Sequence, residues 1–98
     1  MLDISKYIKR IEVVCREFSL RRLDLVGSAA RSDFRSDSDL DFLVTFDRDS
    51  ELFRRYFELK ERLEVIFNRT VDLIEERAVR NSYVKQTLMR DRVNLYGT

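Results

Sequence analysis

The chain is 98 residues long, 44% hydrophobic and 38% charged, with a formal net charge of only +1; this profile predicts one soluble globular domain, 1–98, with a single modest core and no space for a separate substrate domain. Binding along an extended nucleic acid requires a one-sided positive field, which this balance excludes outside a local patch at Arg21 and Arg22. Histidine is absent, which removes Ser-His-Asp and Cys-His mechanisms and the usual zinc sites, so acid-base work falls to carboxylates and metal-bound water.

In chain order, the opening Met1-Leu2-Asp3-Ile4-Ser5-Lys6 does not resemble a secretory leader. No apolar run nears the roughly 20 residues that cross a bilayer, so a cytoplasmic location with no membrane contact is expected. Ile4, Tyr7, Ile8, Ile11, Val14, Cys15 and Phe18 recur every three or four residues, which predicts an amphipathic helix with Asp3 as its cap. Cys15 lies on this stripe as a small core residue. Positions 23–26 read as a strand, Gly27 as a tight turn, and Ser28 to Arg31 as the start of a second helix. A second strand covers 40–44. Another helix starts near Ser50, with Ser50 as cap and Phe53, Tyr56, Phe57, Leu63, Ile66 and Phe67 as its inner stripe, and ends around Asn68. Leu52 and Leu59 lie off that stripe, where they would serve an interface between copies in a homo-oligomer. Positions 70–74 read as a third strand. Asn81 or Ser82 caps a last helix turning Val84, Leu88 and Met89 inward, and the alternation of Val93 and Leu95 suggests a short closing strand.

Chemistry concentrates between Gly27 and Asp72. Gly27 lets a ligand approach bare backbone, and the free amides of a helix start, with the Ser28 hydroxyl, make a seat for phosphate. Arg31 follows Ser28 by three residues, where it answers either to the same phosphates or to a surface ion pair. Asp39 and Asp41 flank Leu40 at a strand start, so both carboxylates point to one side. Ser38 turns the chain into Asp39, and Asp33 and Asp37 are read as solvated loop residues. Phosphate and metal must be adjacent, so the first two strands should run antiparallel; the long helix then crosses over to a third, parallel strand that brings Asp72 beside Asp41. The expected fold is a small mixed α/β sheet in the order 1-2-3, covered by about four helices. Aspartate is disfavoured within strands. Asp72, between Val71 and Leu73, therefore answers either to a buried ion pair with an arginine or to a cation. Taken with Asp39 and Asp41, three carboxylates on one face repel unless divalent ions lie among them, and Mg2+ suits such oxygen ligands.

The stretch from Gly27 through Ser28, Arg31, Asp39 and Asp41 to Val44 resembles the signature of the polymerase-beta-like nucleotidyltransferase superfamily. With ten residues between Ser28 and Asp39 it looks like the single-domain branch, the minimal nucleotidyltransferases. Ser32 departs from the glycine that many members carry after the arginine. The resemblance implies that Gly27 and Ser28 bind the triphosphate of ATP and that Asp39, Asp41 and Asp72 hold two Mg2+ ions. It further implies an antitoxin that transfers AMP to a tyrosine of a HEPN-domain ribonuclease toxin. The competing expectations are a binding subunit that masks its partner without chemistry and nucleotidyl transfer to a small molecule.

Overall fold

The computed structural model describes residues 3–31 and 38–97. Ser32, Asp33 and Asp37 lie outside the described residues. Asp3, expected to cap the first helix, caps a 3-10 turn (Ile4–Lys6) ahead of it instead, its side chain accepting from the Ser5 amide at 3.1 Å, and the helix itself follows Tyr7 without a side-chain cap. Helix α1 (Ile8–Glu17) follows and buries Ile11, Val14 and Cys15. Strand β1 (Leu20–Val26) leads through a 3-10 turn at Gly27–Ala30, and the chain reappears in β2 (Leu40–Phe46). Helix α2 (Leu52–Phe67), β3 (Val71–Glu75), a 3-10 turn at Glu76–Ala78, α3 (Ser82–Arg90) and β4 (Val93–Gly97) complete the order. The helix expected to begin at Ser28 is thus a single short turn that ends at Arg31.

One four-stranded mixed sheet runs in the order β3-β2-β1-β4. Strands β1 and β2 are antiparallel and β2 and β3 parallel, as expected. The expected order 1-2-3 is extended by the closing strand, which pairs antiparallel with the free side of β1. Leu23, Leu25, Leu40, Phe42, Val44, Phe46, Val71, Leu73 and Leu95 point to one face and form a core with the inner sides of α1 and α2. Val26 and Leu43 are buried as well, yet stand outside that cluster, because alternation sends them to the opposite face with Asp24, Asp41 and Asp72.

Helix α2 keeps the expected stripe at Leu63, Ile66 and Phe67, with Tyr56 half-buried against the core, and departs from it at Phe53 and Phe57. Its buried residues are Arg55, Leu59, Leu63, Ile66 and Phe67, whereas Phe53 is 80% and Phe57 49% exposed. Leu59, read from sequence as an exposed interface residue, is fully buried, and Leu52 is half-buried against the core. The cause is Arg55. Its guanidinium turns inward to donate to the carbonyl oxygens of Phe18, Ser19, Arg48 and Ser50, and it stacks 4.7 Å from the Phe46 ring centre. A buried cation with a fork of donors serves this set of loop carbonyls, of which Ser19 also accepts from the Asp47 amide at 2.8 Å, as an aromatic ring cannot. Burial lowers the Arg55 guanidinium from its ordinary value. Ser50 is not the cap: Glu51, in left-handed backbone at φ 52°, precedes the helix without a side-chain cap.

Helix α3 is capped by Asn81, one of the two residues expected, its side chain accepting from the amides of Tyr83 and Val84 at 2.9 and 3.2 Å. It buries no residue fully: Leu88 and Met89 are half-buried, and Val84, expected inward, is exposed. Three α-helices and three short 3-10 turns are present among the described residues, where about four helices were expected. No helix among them is long and apolar enough to cross a membrane.

Candidate active site

The site is built on a row across three strands: Val26 pairs with Asp41, and Asp41 pairs with Asp72. In-register neighbours point their side chains to the same face, so Asp41 and Asp72 lie side by side opposite the helical core. Asp39, two residues before Asp41, shares that alternation and is exposed; Asp41 is half-buried and Asp72 exposed. Burial, then the negative charges of Asp72 and Asp39, push the Asp41 carboxyl above the usual carboxylate range, and Arg31 pulls it back in part. The charges of Asp72, Asp39 and Arg31 are thus all felt at the Asp41 carboxyl. Among the described residues, no set of three Asp, Glu, Cys or His side chains is arranged to hold a metal ion. The aspartates are electrostatic neighbours and not a finished coordination shell.

Gly27 turns the chain directly after the row with φ +70°. A Cβ built there would overlap Asp41 Oδ2 and stand 3.2 Å from its Cγ. Glycine is therefore needed twice, for the left-handed backbone and for the room that Asp41 occupies. Ser28 and Ala29 continue the 3-10 turn, and the Arg31 amide donates to the Ser28 carbonyl at 3.1 Å, which closes it. Ser28 is half-buried and Arg31 exposed.

The acidic strand start is tied to the strand that carries Asp72. The Leu40 amide donates to the Thr70 carbonyl at 3.0 Å, and Arg69 Nη1 donates to the Ser38 carbonyl at 3.2 Å. The Val71 amide donates to Glu64 Oε2 at 3.0 Å, which fixes the turn from α2 into β3.

A second acidic group on the same face escaped sequence reasoning. Asp24 is fully buried and accepts from Arg22 Nε at 3.1 Å, from Arg92 through Nε at 2.9 Å and through Nη2, and from Asn94 Nδ2 at 3.0 Å. Glu76 also pairs with Arg92, at 3.1 Å. The buried aspartate-arginine pair weighed for Asp72 exists at Asp24 instead. Its signal was the same one, an aspartate between two leucines in a strand, and only the return of the chain through Arg92 and Asn94 could tell the two apart.

This strand-turn arrangement, with paired acids beside a glycine turn on a mixed sheet, is the one the sequence led us to expect of a nucleotidyltransferase. The nucleotidyltransferase domain family matches residues 8–95, and the chain belongs to it. Over 93 residues it is 34% identical to a Methanocaldococcus jannaschii protein provisionally named protein adenylyltransferase MJ1379, covering 93% of each. Over 76 residues it is 33% identical to protein adenylyltransferase MntA of Thermococcus cleftensis, covering 78% of this chain and 75% of that one. Among solved structures, a toxin-antitoxin complex with AMP-PNP superposes with a TM-score of 0.75 at 22% identity, covering 93% of this chain and 73% of that one, a likeness of fold.

Proposed function

We propose that this nucleotidyltransferase moves AMP from ATP to a hydroxyl, most readily a tyrosine, of a HEPN-domain ribonuclease toxin and so acts as its antitoxin in the cytoplasm. The observation that carries this is the row itself: Asp41 and Asp72 in register on adjacent strands, with Asp39 beside them and Gly27 closing against Asp41. The names borne by the two archaeal relatives and by the toxin-antitoxin complex supply the substrate class.

In this reading the amides of the Gly27–Ala30 turn and the Ser28 hydroxyl hold the triphosphate, with Arg31 adding positive charge. Asp39 and Asp41 hold Mg2+ together with phosphate oxygens, and Asp72 faces the acceptor and helps hold a second ion. Burial first, and then repulsion from Asp72 and Asp39, raise the Asp41 pKa, and a hard divalent cation would relieve that repulsion; Mg2+ commonly takes one or two carboxylates and completes its shell from water and substrate. Ions held by these aspartates would supply positive charge to offset the negative charge of the phosphates. The acceptor oxygen bonds to the α-phosphorus, the bond from that phosphorus to pyrophosphate breaks, and Asp72 takes the hydroxyl proton. Position and charge carry most of the rate.

The test is incubation with α-labelled ATP, Mg2+ and the helical product of the neighbouring gene, identified by an Arg-x4-His motif. Label on that partner is expected, and none on it overturns the reading. A second reading, masking without chemistry, draws on the exposed pair Phe53 and Phe57, whose rings lie 4.7 Å apart and offer a sticky surface. Protection of cells by the double variant Asp39→Asn, Asp41→Asn would favour it.

A further inference from the structure

Asp39 stands one residue outside the ladder: β2 begins at Leu40, whose pairing partner is Val71. A ligand outside regular structure needs other means to hold its backbone. Here two bonds bracket it, the Leu40 amide to the Thr70 carbonyl on one side and Arg69 Nη1 to the Ser38 carbonyl on the other. Arg69 is well placed to do this because its own base is fixed. The residue before it, Asn68, ends α2 in left-handed backbone at φ 52°, and the residue after Thr70, Val71, is held by Glu64. The guanidinium thus reaches from the turn that leads to Asp72 across to the segment that leads to Asp39, joining the two halves of the acidic site. Its contact is made to a backbone carbonyl, so it fixes where Asp39 starts whatever the Asp39 side chain binds.

We infer that Arg69 is a positioning residue of the reaction, acting on the placement of Asp39 relative to Asp41 and Asp72. This rests on the metal-dependent transfer proposed above. Outer partners that orient a ligating group commonly change metal affinity or activity by ~10–100-fold when removed, and an effect of that order is expected here. The variants are Arg69→Met, which keeps the stem and loses charge and donors, and Arg69→Gln, which keeps one neutral donor on a shorter stem.

The experiment has two readouts on the full chain. Binding of Mn2+ is followed by paramagnetic broadening of the Asp39 and Asp41 amides, and hydrogen exchange is followed at the Asp39 and Leu40 amides without metal. Expected are weaker Mn2+ binding by about tenfold or more, faster exchange at both amides, and a kcat that falls much more than KM for ATP changes. A parent that binds no Mn2+ overturns the metal-dependent reading and this inference with it. A parent that binds, with either folded variant matching it in Mn2+ affinity and amide exchange, overturns the role of Arg69 alone. Loss of the cooperative thermal transition in both variants assigns Arg69 to stability and equally overturns a positioning role.

Discussion

Replacing Gly27 by alanine perturbs backbone and carboxylate at once, and the structure gives a magnitude to each. At φ +70° an L side chain meets its following carbonyl, a cost of about 1–2 kcal/mol. The new Cβ would also overlap Asp41 Oδ2; turning Asp41 off its rotamer adds about 0.5–1.5 kcal/mol. A total of roughly 2–3 kcal/mol lowers Tm by roughly 10–20 °C in a domain of this size. The chemical consequence exceeds the thermodynamic one. If Asp41 holds the metal as proposed, displacing it by about 1 Å costs on the order of a hundredfold in rate, so the Gly27→Ala protein, assayed well below its Tm, should retain about 1% of the proposed adenylyl transfer. Gly97→Ala is the matched control. It lies in left-handed backbone at φ +78°, and its Cβ would press on the Arg21 and Arg22 backbone, at the end of the sheet away from the Val26 and Asp41 pair. It should lose stability and keep kcat. Gly27→Ala activity within threefold of the parent, or an equal kcat loss in Gly97→Ala, would refute the argument.

The pH dependence of stability tests the acidic cluster. The folded chain holds the Asp41 proton more tightly than the unfolded chain, whose carboxyl titrates near 3.8; the benefit is present below that value and disappears as pH rises through the raised folded value. Asp41→Asn should therefore raise the urea midpoint at pH 7 and change it little at pH 3, and an equal shift at both pH values would count against an ionised Asp41 penalised by burial and by its acidic neighbours. Mg2+ at about a hundred times its Kd should stabilise the parent by about 2.7 kcal/mol at pH 7.5, as read by thermal melting, with a smaller gain in Asp39→Asn; equal gains would place the ion elsewhere. Asp24→Ala strands Arg22 and Arg92 without their buried partner and should lower the free energy of unfolding by about 3 kcal/mol or more, with the amides of β4 losing protection first. In α2, Leu59→Ala should cost about 2–5 kcal/mol and Phe53→Ser less than about 0.5 kcal/mol; the reverse ranking in urea would restore the register expected from the aromatic pattern.

Periodicity made the α1 stripe and the sheet core legible before any coordinates, because Ile11, Val14 and Cys15, or Leu40 and Phe42, answer only to burial. The antiparallel and parallel pairings of β2 followed from chemistry: a phosphate seat after one strand and acids at the start of the next must meet at one end. That argument also placed Asp41 opposite Asp72. Helix α2 resisted it because hydrophobicity alone favours Phe53 over Arg55, and the carbonyls of Phe18, Ser19, Arg48 and Ser50 that reverse the choice come from distant loops. Asp24 failed for a related reason: its three partners, Arg22, Arg92 and Asn94, are separated from it by as little as two residues and as many as seventy. Local patterns report what must avoid water, and they are silent on which distant group will compensate an inward charge.

Strand β3 is the last of the sheet, and Asp72 projects from it into solvent. Within the described residues the acids consequently form a shelf with one free flank in place of an enclosed cleft. For the proposed transfer, such a shelf would accept an acceptor of any bulk. Selectivity would then rest on the breadth of surface matched on either side of that flank, so that changes far from the acids would alter which molecule is modified while leaving the proposed ATP binding intact.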